Sequence, residues 1–239
     1  MPLKIGSRQF APSVLGTLLM LAMLAVLLSL GRWQLHRAAA KQSVYDAFAA
    51  GSGSTLGIDE PGGALARFQH VAATGHYDAG AQVLVDNMTA ADGRAGYHVI
   101  TPFQTTSGAW LLVNRGWVPM GDRAVLPAVP APAGERRIQG RVDHLPEPGI
   151  RMGTPQPLSP PFPIRATYPT PAEIHAVLSP RRWSGRAEVI LLDAGEPDGF
   201  LRQWAAPGFP PMRHVAYAVQ WFGLAAALII LYIVSSLKS

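Results

Sequence analysis

The chain has 239 residues, of which 49% are hydrophobic and only 15% are charged, whereas about 25% of the residues in a soluble globular domain are charged. It contains no cysteine, which excludes disulfide bonds, thiolate metal sites and cysteine nucleophiles. The formal charge is +5, but the arginines are dispersed and form no basic stripe or motif, so we expect no nucleic-acid binding.

The first predicted element is an apolar helix near the start of the chain. Residues 10–30 carry no charge, and this run is long enough to cross a hydrocarbon core of ~30 Å at 1.5 Å per residue. The alanines at 38–40 would also suit cleavage of a signal peptide, but the apolar run exceeds the usual length for one. We therefore predict an uncleaved transmembrane helix at residues 14–30, after a cytoplasmic tail at residues 1–13.

A second uncharged run, residues 215–234, predicts another transmembrane helix, assigned to residues 214–234 before a short tail at residues 235–239. Two spans place both ends of the chain on one side of the membrane and residues 31–213 on the other. Charges flank the first span on both sides, so they do not settle the orientation. The short segment before the first span leaves no room for an organellar transit peptide, which favours a bacterial plasma membrane.

Between the spans, the pattern is typical of a β domain. Short runs rich in Val, Thr, Tyr and Trp alternate with turn residues, and Thr106-Ser107-Gly108 suits a hairpin loop. The predicted fold class is an α+β membrane protein in which two transmembrane helices flank a mostly antiparallel β domain. The predicted strands are residues 68–74, 82–88, 97–105, 109–118, 136–142 and 187–192.

Three further segments are read from their composition. The Gly- and Ser-rich residues 51–63 predict a flexible linker. Residues 127–171 hold 12 of the 22 prolines and are expected to be irregular surface chain. Thr170 as cap and Pro171 in the first turn predict a short helix that ends at Leu178.

The sequence contains no recognisable catalytic motif. It has no GxxxxGK[ST] phosphate loop, no GxSxG elbow, no HExxH and no GxGxxG between a strand and a helix. His70 and His76 could share a metal ion, but no carboxylates stand at ligand spacing, and two ordinary strand histidines are the favoured interpretation. We expect a protein that is not an enzyme and has no catalytic residue.

Two segments that the two-span topology brings to one face of the membrane form the candidate ligand site, residues 31–41 and 213–222. At ~100° per helical residue, His214, Tyr217 and Trp221 lie within about 60° of one another. Imidazole can ligate haem iron, aromatic rings can stack on a macrocycle, and arginines can pair with propionates. The same residue types anchor helices at membrane interfaces, and the residues by themselves favour that reading.

Five short motifs stand out along the chain. They are GRWQLHRAAAK at 31–41, FQHVAATGHYD at 68–78, GYHVITPF at 96–103, LLVNRGWVP at 111–119 and HVAYAVQWFGLA at 214–225. In the fourth motif, 114–116 predict a β-bulge or turn, and Trp117 a packing residue. The sequence leaves open whether Arg115 pairs within the domain or faces a partner. In this order, the five motifs resemble those of the Surfeit-locus-one family of cytochrome c oxidase assembly factors, and LLVNRGWVP is the most distinctive.

The resemblance implies a multi-pass bacterial plasma-membrane protein with a periplasmic central domain and cytoplasmic termini. It implies a chaperone-like role in respiratory-chain biogenesis, assisting the delivery or insertion of haem a into oxidase subunit I. Expected partners are subunit I, the haem a synthesis machinery and membrane lipid. His214 is the expected transient haem a contact and iron ligand, with Trp221, Tyr217, Trp33 and Arg37 as its neighbours. The alternative is a haem-independent membrane scaffold that holds nascent oxidase subunits.

Overall fold

The computed structural model describes residues 3–5, 8–51, 53–58, 65–148, 157–181, 183, 185 and 188–238. The chain divides into a helical unit, Met1–Ala47 with Ala206–Ser239, and a β unit, Phe48–Ala205. In chain order the elements are strands β1 (Leu3–Ile5) and β2 (Arg8–Phe10), helix α1 (Val14–Ala50), strands β3 (Thr55–Gly57), β4 (His70–Tyr77), β5 (Val83–Thr89), β6 (Ala95–Thr105), β7 (Trp110–Pro119), β8 (Arg136–Asp143) and β9 (Ile164–Ala166), helix α2 (Pro171–Leu178), a 3-10 helix (Ser179–Arg181), strand β10 (Val189–Leu192), helix α3 (Pro211–Ser236) and strand β11 (Leu237–Lys238).

Helices α1 and α3 dominate the helical unit, and both are long and apolar enough to cross a membrane. Helix α1 does not end at Leu30 with the apolar run but continues to Ala50. Helix α3 covers the predicted span at 214–234 and carries Pro211 in its first turn, where the missing N–H costs nothing. In the predicted tails, β1, β2 and β11 pair as an antiparallel sheet, while residues 1, 2, 6, 7 and 239 lie outside the described residues.

Within the helical unit, α1 and α3 face each other along an antiparallel seam. Thr17 Oγ1 lies 2.6 Å from the Tyr232 hydroxyl, which pairs the start of α1 with the end of α3. The less exposed positions recur at intervals of three and four residues, the spacing of a coiled-coil seam. These positions are Leu27, Gly31, Gln34, Ala38 and Lys41 on α1 and His214, Ala218, Trp221 and Ala225 on α3.

Five strands of the β unit form a closed barrel. The sheet order is β3-β4-β8-β10-β7-β6-β5-β9, and β4 also pairs with β6. That extra pairing, of residues 75–77 with residues 103–105, closes the ring β4-β8-β10-β7-β6. All pairs in the ring are antiparallel except β10 with β7, while β3 and β9 add parallel pairs outside it. The predicted mostly antiparallel domain between two long apolar helices is confirmed.

Two clusters of buried side chains lie on opposite faces of the barrel wall, as the alternation of side chains along a strand requires. One cluster takes residues from all five barrel strands and fills the barrel. Its members include Val71, Phe103, Val113, Ile138 and Ile190. In the other cluster, helix α2 buries Ile174, Val177 and Leu178 against the sheet.

The predicted strands correspond to β4, β5, β6, β7, β8 and β10, with small differences at their ends. Ala187, the predicted start of the last strand, lies outside the described residues. The hairpin between β6 and β7 is also confirmed, since Gly108 has φ +88° and its N–H donates to the carbonyl of Thr105 at 2.9 Å. Helix α2 begins as predicted, with a capping box in which Thr170 accepts from the N–H of Glu173 and donates its own N–H to that carboxylate.

Two predictions from composition need correction. The stretch 51–63 is not wholly a flexible linker, because β3 pairs in parallel with β4 inside it; residues 52 and 59–63 lie outside the described residues. The proline-rich stretch 127–171 contains β9 as well as the expected β8, while residues 149–156 lie outside the described residues. Strand β9 has only three residues and pairs with β5, a partner that local composition does not reveal.

Strand β7 carries the predicted bulge. Arg115 and Gly116 stand between the residues paired with Ile100 and His98, so that two residues of β7 face one of β6. Gly116 has φ +112°, and a Cβ there would lie 2.7 Å from the carbonyl oxygen of Leu201. Only glycine meets both conditions. The strand continues past the bulge to Pro119, one residue beyond its predicted end.

His98, beside this bulge, is expected to make the stability of the chain pH-dependent. Burial lowers the pKa of His98 to about 4, and its Nδ1 lies 3.2 Å from Nδ2 of Asn114. The unfolded chain then binds an extra proton between pH 6.5 and 4, so stability falls as the pH drops through that range. Between pH 7 and 4.5 we expect His98 to account for a loss of about 2 kcal/mol. Denaturant unfolding of the detergent-solubilised chain at both pH values should show it.

A His98→Gln variant serves as the control for this prediction, because glutamine keeps a polar side chain beside Asn114 but does not titrate. Its loss of stability between the two pH values should be smaller than that of the wild type by the same amount. Equal losses in the two proteins would show that other groups govern the acid sensitivity.

Candidate functional site

The predicted iron ligand, His214, lies in the first turn of α3, where it is half-buried on the seam with α1. Its Nδ1 is 2.8 Å from Oε1 of Gln34. An amide oxygen can only accept a hydrogen bond, so Nδ1 carries the proton and Nε2 keeps its lone pair. Within the described part of the chain, no hydrogen-bond partner lies at Nε2. The imidazole is thus held by one nitrogen and able to bind through the other.

The other four predicted site residues divide between the seam and the exposed surface. Trp221 is half-buried on the seam, two turns along α3 from His214. Tyr217 is 41% exposed, Trp33 is 54% exposed, and Arg37 is also exposed on α1. The rings of Tyr217 and Trp33 are therefore accessible to a lipid or to a flat apolar ligand.

Gln34 is the residue that the sequence reading missed. It belongs to the motif at 31–41 but is not among the predicted site residues. The signal that could have found it is its spacing, because Leu27, Gln34 and Lys41 recur every seven residues on α1. An amide on such a repeat faces the partner helix, where it needs a polar partner.

The second half of α1 also holds the segment that leads into α3. Gly208 has φ +89°, and its carbonyl oxygen lies 3.4 Å from the hydroxyl of Tyr45. A Cβ at Gly208 would lie 2.7 Å from Nζ of Lys41, so the lysine packs directly on this turn. Just beyond it, the Arg213 guanidinium lies 4.2 Å from the ring centre of Phe209. These contacts hold the segment of chain that precedes His214 against α1.

The His, Asp and Glu side chains that the structure describes fit a haem better than a metal ion that is held by protein side chains alone. No group of three His, Asp or Glu side chains that could hold a metal ion exists among the residues that the structure describes. His70 and His76 are both strand residues of β4, as expected. The His70 ring is hydrogen-bonded to the side chains of Thr55 and Asp193. A haem brings four nitrogen ligands of its own, so a single imidazole such as His214 suffices as the protein ligand.

In the β unit, the motif at 111–119 is structural. Arg115 is only 3% exposed, and its guanidinium donates to the carbonyl oxygens of Asp198 and Pro130. Trp117 is buried, and its indole N–H donates to the carbonyl of Met88 at 3.0 Å. Arg115 therefore pairs within its own domain, and Trp117 is a packing residue.

The chain matches a known protein family over most of its length. A sequence model of the SURF1 family matches residues 21–226, which include Gln34, His214 and the whole β unit. No curated protein matches the chain.

Proposed function

The chain belongs to the SURF1 family, a family of membrane proteins associated with cytochrome c oxidase assembly, and from this premise we propose that it assists the delivery or insertion of haem a into subunit I of that oxidase. In this role haem a is cargo, bound transiently and then released. The family is one of assembly factors rather than catalysts, and the proposed role requires no reaction on the haem.

The observation that carries this proposal is the state of His214. Its Nδ1 is bonded to Gln34, while Nε2 has no hydrogen-bond partner in the described part of the chain. A neutral imidazole held in this way can serve as an axial ligand of haem iron. Since a transfer protein must release its cargo, we expect this site to hold haem a only weakly.

The neighbours of His214 suit the rest of such a ligand. The partly exposed rings of Trp33, Tyr217 and Trp221 can pack on the apolar macrocycle, and Arg37 can pair with a propionate. We further propose that subunit I and the haem a synthesis machinery are the partners. The expected setting is a bacterial plasma membrane, with the β unit in the periplasm and both termini in the cytoplasm.

The test is a reduced-minus-oxidised spectrum of membranes from a strain that lacks this gene and any second copy, read at the a-type haem band. The band should be lost and then restored by the wild-type gene. His214→Ala should restore it at least about fivefold less, because removing a haem contact or the partner that orients it lowers affinity by 10–100-fold. His36→Ala is the matched control, since His36 is an exposed histidine of the same interfacial segment.

Equal restoration by His214→Ala and His36→Ala would keep the assembly role and reject His214 as the haem contact. The haem-independent scaffold would then be the better account, and co-purification of subunit I with the His214→Ala protein would support it. An unchanged a-type band in the deletion strain would reject the role in haem a delivery.

A further inference from the structure

We infer that Gln34 is a positioning residue, which fixes the tautomer of His214 so that Nε2 is presented to the iron of the ligand. This inference rests on the proposed function, in which His214 contacts haem a. On this inference, the seam between the two helices contributes the side chain that orients His214.

The geometry that carries the inference is the 2.8 Å contact between Nδ1 of His214 and Oε1 of Gln34. Both side chains are half-buried on seam positions of helices that run the length of the helical unit. One turn before Gln34, Gly31 leaves room for the ring of Phe222, since a Cβ there would lie 2.6 Å from it. The two helices therefore hold the amide and the imidazole at a fixed separation.

The chemistry follows from the donors and acceptors of the two groups. A neutral imidazole has one N–H and one nitrogen with a lone pair, and the hydrogen bond made by one nitrogen decides the role of the other. An acceptor at Nδ1 keeps the proton there, raises the basicity of Nε2 and fixes the plane of the ring. Histidines that bind metals in proteins almost always have such an acceptor on the second nitrogen, and losing it lowers affinity by 10–100-fold.

Two substitutions at Gln34 separate positioning from packing. Gln34→Leu keeps a side chain of similar size on the seam but removes the acceptor. Gln34→Glu keeps an acceptor and removes every donor, so it should preserve the tautomer. Gln220→Leu is the matched control, because Gln220 is an exposed glutamine of α3.

The experiment has one readout without haem and one with it. First, nitrogen NMR of the ¹⁵N-histidine-labelled full chain in detergent, at about pH 8, gives the tautomer of His214. Its signals are identified by their loss in His214→Ala. The wild type, Gln34→Glu and Gln220→Leu should show the proton on Nδ1, and Gln34→Leu should not. Second, titration with haem a, followed by absorption, should show binding weakened by about 10–100-fold in Gln34→Leu but not in Gln34→Glu or Gln220→Leu.

The outcomes separate the inference from the proposed function. If His214→Ala abolishes haem a binding while Gln34→Leu changes neither the tautomer nor the affinity, the role of Gln34 is rejected and the proposed function stands. If Gln34→Glu weakens binding as much as Gln34→Leu, the glutamine acts by packing and the inference is rejected. If the wild-type chain does not bind haem a, both are rejected.

Discussion

Replacing Arg115 by alanine is expected to lower the free energy of unfolding of the chain by about 3–5 kcal/mol, since it removes hydrogen bonds from a charged group to two carbonyls, each of which contributes about 1.5–3 kcal/mol. The guanidinium donates to the carbonyl oxygens of Asp198 and Pro130 and lies 5.2 Å from the ring centre of Tyr77 and 4.9 Å from that of Phe200. Alanine would remove this donor from both carbonyls, and water can replace it more readily at the exposed Pro130 than at the half-buried Asp198. It would also leave a cavity among the two rings.

Two opposing effects meet at Arg115, and their balance explains the size of the expected loss. Burial lowers the pKa of the Arg115 guanidinium, because a charge that loses its surrounding water is destabilised. The contacts to two carbonyls and two rings offset this, because the planar fork of arginine reaches both oxygens at once. Arg115→Lys keeps the charge but not the fork, so we expect an intermediate loss of about 2 kcal/mol.

Arg94→Ala is the matched control for Arg115. Arg94 also donates hydrogen bonds through its guanidinium, in this case to the Asp92 carboxylate, and it lies over the ring of Trp117, but its side chain is 62% exposed. Exposed pairs contribute only about 0–1 kcal/mol. Denaturant unfolding of the three variants in detergent should therefore rank them Arg115→Ala, Arg115→Lys, Arg94→Ala, from the largest loss to the smallest. Equal losses for the two alanine variants would show that the guanidinium of Arg115 does not support the barrel.

The elements that the sequence predicts well are those with local signals. The strands show as short runs of β-branched and aromatic residues between turns, and α2 shows through Thr170 and Pro171 at its first turn. What the sequence does not show is pairing between distant segments. Strand β3 lies hidden in a glycine-rich stretch because its only signal is its partner β4, and the ring closure between β4 and β6 has no local mark at all.

The same division applies to the candidate site. His214, Tyr217 and Trp221 share one helix, so their relation follows from helical spacing alone. Gln34 meets His214 across 180 residues of chain, and only the seven-residue repeat on α1 hints that it faces another helix. The roles of the five predicted residues toward haem stay predictions, because they concern a ligand and not a fold.

Gly75→Ala is expected to lower the free energy of unfolding by about 3 kcal/mol, the upper part of the usual range for overpacking. Gly75 lies where β4 pairs with β6 and closes the barrel. A Cβ there would lie 2.0 Å from the carbonyl oxygen of Gln104 and 2.7 Å from Cα of Thr105. Both obstacles are backbone atoms, so no side-chain rotation can relieve the clash, and the closing pair of strands must separate.

Gly57→Ala provides the comparison, because Gly57 is also a strand glycine but no atom of the residues that the structure describes lies within 4 Å of a Cβ placed on it. Alanine there should be neutral, or stabilise by up to about 1 kcal/mol through the lower entropy of the unfolded chain. Thermal unfolding and the yield of folded protein in detergent distinguish the two variants. A Gly75→Ala protein as stable as Gly57→Ala would mean that β4 and β6 do not meet as closely as described, and the barrel would then be open on that side.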